Sequence, residues 1–147
     1  MSVLIDTNIL LRSAQPNHPL SSQATNAVAG FLRQKQAVYY CPQTIAEFTN
    51  VATRPPEVNG LGFTDQEVWK EIETIEGILT LLPDAPAIYP EWKRLVREHK
   101  VRGIKVYDAR IVAVANVYGV ARILTFNGAD FKRYTNITAL DPALNVP

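Results

Sequence analysis

The chain has 147 residues, a formal charge of +1, 47% hydrophobic residues, one cysteine and two histidines. That size suits a single domain, 1–147, whose apolar core needs neither disulfides nor a structural metal. The balanced charge excludes a chain-wide basic field, Cys41 alone excludes an internal disulfide, and no apolar run approaches the roughly 18 residues of a membrane span.

The first apolar run, Val3-Leu4-Ile5, meets Asp6 too early for a signal peptide. A soluble, cytoplasmic protein with no membrane partner is expected. Residues 2–6 read as a buried strand that delivers Asp6 to the rim of a sheet. A short helix over 8–13 is broken by Gln15-Pro16-Asn17-His18-Pro19. Ser21 or Ser22 caps a helix to about Arg33, and Ala37-Val38-Tyr39-Tyr40 is a second strand closed by Cys41-Pro42. The spacing predicts a helix over 44–53, stopped by Pro55-Pro56. Residues 57–63, with two glycines, read as a loop.

Thr64-Asp65-Gln66-Glu67 opens a long helix by the capping-box pattern. Its apolar stripe, Trp69, Ile72, Ile75 and Ile78, reads most simply as core, with a homodimer face formed by part of it and the helix from Ser22 to Arg33 as the alternative. Residues 79–82 resemble a strand, 89–100 a helix, and 101–107 a loop. Asp108 sits where an N-cap is expected, before an apolar helix over 109–118 that Gly119 ends. Residues 121–125 form a strand, 127–131 a turn, and 137–140 a last strand. Strands alternating with helices argue for an α/β fold of three layers, with a central, mostly parallel sheet between helices.

Four acids stand at element boundaries: Asp6, Glu47, Asp108 and Asp130. Each has an ordinary structural explanation as a helix cap or a turn former. As a set they are harder to explain. The helix after Asp108 is apolar almost all round, so its start is buried, and an unpaired buried carboxylate is costly. A divalent cation shared with Asp6 would satisfy both. Mg²⁺ and Mn²⁺ prefer oxygen ligands, and Mg²⁺ takes one or two carboxylates, waters and a substrate phosphate. His18, His99 and Cys41 make no zinc pattern.

Four segments resemble the PIN domain family, and within it the VapC-type toxin ribonucleases. They are Val3-Leu4-Ile5-Asp6-Thr7-Asn8-Ile9-Leu10, Thr44-Ile45-Ala46-Glu47-Phe48, Tyr107-Asp108-Ala109-Arg110-Ile111 and Ile123-Leu124-Thr125-Phe126-Asn127-Gly128-Ala129-Asp130-Phe131. The resemblance implies Mg²⁺- or Mn²⁺-dependent hydrolysis of RNA phosphodiesters at an acidic pocket. It makes Asp6 and Asp108 the principal metal ligands. Glu47 binds metal or orients water, and Asp130 is the fourth acid. Some members place that acid where this chain has Asn127. Thr7, Asn8, Thr125 and Asn127 become residues that hold the acids. The resemblance also implies a homodimer and an antitoxin partner laid over hydrophobic grooves and the acidic site.

An acidic pocket needs cations nearby to hold RNA phosphates. The candidates are Arg94, Arg97, Arg102 and Lys105, with Lys93 and Lys100 in the same run, and Arg110 and Arg12 beside acids. A solvated helix face explains the run equally well. Tyr107 reads as a core aromatic, with base stacking as the alternative. Two rival functions stay open. One is a catalytically inactive PIN-like module that binds RNA or protein. The other is a phosphatase of the haloacid-dehalogenase type, which needs an acid where this chain has Asn8.

Overall fold

The computed structural model describes residues 1–144 and 147. Five short strands form one fully parallel sheet: β1 (Ser2–Ile5), β2 (Ala37–Tyr40), β3 (Thr80–Leu81), β4 (Arg122–Leu124) and β5 (Thr138–Leu140). Their order is β3-β2-β1-β4-β5. Six helices connect them: α1 (Thr7–Ser13), α2 (Ser21–Arg33), α3 (Pro42–Thr53), α4 (Asp65–Ile78), α5 (Ile88–Glu98) and α6 (Lys105–Val117).

The alternation of β1 decides the layers. Val3 and Ile5 point to one face, where Ile9, Phe31, Phe48, Val68 and Ile72 of α1 to α4 bury against them. Leu4 points to the other face and packs with Leu95 of α5 and the apolar side of α6. Both faces are covered, as a parallel sheet requires. The three-layer expectation therefore holds. Ala109, Ile111, Val112, Ala113, Val114 and Ala115 are all essentially inaccessible, so α6 is a core helix. No helix among the described residues is long and apolar enough to cross a membrane.

Strand order reverses at β1. The chain steps from β1 to β2 and β3 on one side, then returns to β4 and β5 on the other. Such a switch point opens a crevice beyond the carboxyl ends of the strands. The crevice lies between the ends of β1 and β4, where Leu4 pairs with Ile123 and Ile5 with Leu124. Asp6 and Thr125 are the residues that follow.

Several boundaries differ from the sequence expectation. Asp108 is not an N-cap: α6 begins at Lys105, which puts Asp108 in its first turn. Gly103, at φ +61°, makes the turn before it, so the helix gains three residues from the expected loop. α3 begins at Pro42 behind Cys41, not at Thr44. The Thr44 hydroxyl closes that start by accepting from Cys41 N at 3.2 Å and donating to Cys41 O at 2.8 Å. Glu47 therefore takes no part in a capping box. α2 starts at Ser21 without a side-chain cap. The Thr64–Glu67 capping box forms as expected. The α4 stripe is only partly core: Ile72 is buried, but Trp69 and Ile78 are 59% and 55% exposed. Tyr107 is likewise exposed, because the earlier start of α6 turns it outward.

Candidate metal and nucleic-acid site

Asp6 caps α1 and is buried. Its Oδ1 accepts from Thr7 N at 2.8 Å, and its Oδ2 accepts from the Thr125 hydroxyl at 2.8 Å and from Asn8 Nδ2 at 3.4 Å. Asn8 also donates to Thr125 Oγ1 at 3.1 Å and accepts from Phe126 N at 3.2 Å. Asn127 N donates to Thr125 Oγ1 at 3.0 Å. This network joins the end of β1 to the end of β4 and holds one acid in a single orientation. Asn8 has a bracing position here, where the phosphatase alternative requires an acid.

Glu47 approaches from α3. Its Oε2 accepts from the Thr7 hydroxyl at 3.2 Å, and its Oε1 from Gln43 Nε2 at 2.6 Å. Gln43 Nε2 also reaches Tyr107 O at 2.9 Å, which ties α3 to the first turn of α6. Gln43 Oε1 accepts from Arg110, whose other nitrogen pairs with Asp84 at 3.1 Å. Asp130 comes from the short turn after β4 and pairs with Lys105 Nζ at 2.6 Å. Asp108 differs from the rest: among the described residues its carboxylate has no hydrogen bond and no ion pair, although it lines the same cleft.

The cleft has a volume of about 600 Å³ and brings together all four acids with Thr7, Asn8 and Asn127. Burial pushes the Asp6 carboxyl above its ordinary range, and the charges of Glu47 and Asp130 add to that. The Thr125 and Thr7 hydrogen bonds oppose it. Asp108 is pushed up to about 6, first by desolvation and then by the charges of Asp6 and Asp130, with Lys105 opposing. The site thus concentrates negative charge that Lys105, paired with Asp130, offsets only in part.

Among the described residues, no three His, Cys, Asp or Glu side chains converge tightly enough to enclose a metal alone. Mg²⁺ keeps several waters and takes only one or two carboxylates. An all-oxygen donor set containing one unpartnered carboxylate fits such an ion.

The basic run behaves differently from expectation. Arg94 turns away, pairing with Glu91 at 2.7 Å and with Glu98, while Asn116 completes that cluster. Arg97 and Arg102 are exposed and do not line the cleft. Arg110 is occupied by Gln43 and Asp84, and Arg12 by Gln15. Lys105 alone of the predicted cations lines the cleft, already paired with Asp130. The run spans two helix faces and a turn, so its members scatter in space.

Sequence reasoning missed Gln43 and Arg54. Asn50 and Arg54 lie three and seven residues after Glu47, on one face of α3, and both line the cleft. That helical spacing was the available signal.

Comparison with known proteins gives three findings. The PIN domain family model matches residues 3–137. Ribonuclease VapC48 of Mycobacterium tuberculosis is 26% identical over 144 residues, covering 97% of this chain and 98% of that protein. Two crystal structures share the fold. One is VapBC2 from Rickettsia felis bound to a promoter DNA fragment: TM-score 0.74, 16% identity, 96% of this chain and 98% of that one. The other is M. tuberculosis VapC20, a sarcin-ricin-loop-cleaving toxin: TM-score 0.65, 15% identity, 90% and 95% covered.

Proposed function

The chain belongs to the PIN domain family, and from that premise we propose a Mg²⁺- or Mn²⁺-dependent endoribonuclease, the toxin half of a toxin–antitoxin pair. The near full-length similarity to a protein named as a ribonuclease supports the activity. The observation that carries the reading is Asp108: an unpartnered carboxylate facing a cleft already charged by Asp6, Glu47 and Asp130.

Asp6 and Asp108 would hold the metal, with Asp130, or Asn127 through its amide, as the further oxygen donor. Bound there, the ion would supply Lewis-acid stabilisation of negative charge on the phosphate. Glu47, fixed by Thr7 and Gln43, keeps a lone pair to orient the attacking water and accept its proton. The water oxygen bonds to phosphorus as the bond to the leaving ribose oxygen breaks, and that oxygen is protonated from solvent. Lys105, anchored on Asp130, offers its charge at the cleft edge.

The test is cleavage of a labelled structured RNA by purified protein with Mg²⁺, Mn²⁺ or EDTA, beside Asp6→Asn and Asp108→Asn. The expected result is cleavage that needs metal and is lost in both folded variants. Equal cleavage by all three proteins, with or without metal, overturns the reading.

An antitoxin is the partner this reading requires. A concave apolar groove of about 330 Å³ runs between α1, α2 and α4, walled by Ile9, Leu10, Val28, Leu32, Ile75 and Ile78. α4 carries Asp65, Glu67, Glu71, Glu73 and Glu76 against Lys70, so a basic amphipathic segment complements it. A second copy docked here about a two-fold axis would oppose two acidic helices, so we assign the expected homodimer to another surface. Val28→Glu should abolish binding of the co-expressed product of an adjoining reading frame while RNA cleavage persists. Unchanged binding removes the groove from the proposal.

A further inference from the structure

We propose that Arg54 is the phosphate anchor of the cleft, taking a backbone phosphate of the RNA strand on the α3 side of the acids. The inference rests on the ribonuclease reading above and adds the residue that offsets the cleft's charge.

Arg54 lines the same cleft as Asp6, Glu47, Asp108 and Asp130. Despite those acids, its guanidinium forms no ion pair and no hydrogen bond. Its Nε is buried and is the single buried side-chain nitrogen or oxygen without a partner among the described residues. The guanidinium charge is thus left without a protein counter-ion among the described residues, with the Nε itself shielded from solvent. Of the predicted cations nearest the acids, Lys105 is engaged with Asp130 and Arg110 with Gln43 and Asp84. Arg54 is the cation that the cleft keeps unspent.

Its backbone is clamped rather than loose. Arg54 is the C-cap of α3, and the loop over 55–63 folds back on it. Gly62 N donates to Arg54 O at 2.9 Å, Leu61 N to Val51 O at 3.0 Å, and Phe63 N to Ala52 O at 2.8 Å. A Cβ on Gly60 would lie 1.9 Å from Arg54 O, so this close approach admits only glycine. A loop built that tightly presents the guanidinium from a fixed base.

The ligand chemistry follows from the donor. A planar guanidinium matches two oxygens of a phosphodiester, and its charge offsets the repulsion between the strand and four carboxylates. Lys105, paired with Asp130, is the other cation that lines the cleft.

The experiment uses the full chain with Arg54→Met, Arg54→Gln and Arg54→Lys, a short single-stranded oligoribonucleotide, and two readouts. Steady-state cleavage with Mg²⁺ should show KM raised roughly tenfold in the Met and Gln variants, with kcat changed much less. Binding in EDTA across a salt series should show the slope of log affinity against log salt falling by about 0.7, one single-strand phosphate contact. Arg54→Lys should restore most of the salt slope but not the whole KM, because a point charge lacks the fork. Unchanged KM and salt slope in folded Met and Gln variants overturns the anchor, as does loss of fold in both, which makes Arg54 a structural residue. A wild type that fails to cleave RNA removes the ribonuclease reading itself. A cleaving wild type with indifferent Arg54 variants removes only the anchor.

Discussion

The two walls of the cleft are built on opposite principles. On the sheet wall, Asp6 is enclosed by Thr7, Asn8 and Thr125, and every hydrogen bond it accepts comes from the protein. Contributed by the helices α6 and α3, Asp108 and the Arg54 Nε have no partner among the described residues. The sheet wall is finished when the chain folds, whereas in the reading proposed above the helical residues gain their partners from an ion and a phosphate. Preorganised ligands on a rigid scaffold beside unsatisfied ones is how a site holds its geometry and still gains from an ion or a phosphate.

Replacing Asp108 should break this contrast most visibly. Asp108→Asn is expected to lower cleavage by roughly three orders of magnitude, comparable to loss of a central charged group in other active sites. Yet the same variant should melt no lower than wild type without metal, because no protein contact is lost and a desolvated charge is removed. Asp6→Ala should also abolish cleavage, but should lower the melting temperature, since the α1 cap and the Thr125 contact go with it. If both variants lose stability alike, the two walls are not different in kind.

Gln43→Ala sharpens the middle of the scale. It frees Glu47 Oε1 and unties α3 from Tyr107 O, so kcat should fall about 10- to 100-fold with little change in KM. A KM effect without a kcat effect would instead make Gln43 a substrate contact. Thr125→Val keeps shape but removes the hydroxyl between Asp6, Asn8 and Asn127 N. A stability loss of about 1–3 kcal/mol by denaturant titration is expected, with a smaller activity loss than Gln43→Ala.

The smallest effect is a pH dependence. The folded Asp108 carboxyl titrates at about 6, above its ordinary 3.8. The folded state therefore binds more protons than the unfolded chain between those values, and stability falls as pH rises through that window. Metal-free protein should melt at a higher temperature near pH 5 than near pH 7.5, as far as this group contributes. Mg²⁺ should reduce that slope, and Asp108→Asn should lack its part of it. Parallel pH profiles for wild type and Asp108→Asn would place the strain elsewhere.

Much of the fold was legible because its signals are local. The apolar run before Asp6, the Thr64–Glu67 capping box and the all-apolar α6 each announce an element from a few adjacent residues. The four acids were legible as a set because three stand near an element boundary and Glu47 sits on the helix that follows the second strand, and the cleft does gather them. The errors arose where a neighbour distant in sequence decided. Asp108 looked like a cap, but α6 starts at Lys105, where Trp92 Nε1 donates to Val106 O at 2.8 Å and holds the extra turn. Trp69 fitted the α4 stripe by periodicity, yet lies where no element covers it.

The sequence by itself determined the alternation of strands and helices, the three layers and the identity of the acids, since periodicity and boundary residues are properties of short segments. Tertiary structure alone decided which cations share the cleft, that Gln43 holds Glu47, and that Asp108 and Arg54 are left without protein partners. Which groups are satisfied and which charges pair depends largely on residues tens of positions apart, as with Thr7 and Glu47, Asp6 and Thr125, or Lys105 and Asp130. These relations exist only once the parallel sheet has brought the ends of β1 and β4 together and laid α3 and α6 beside them.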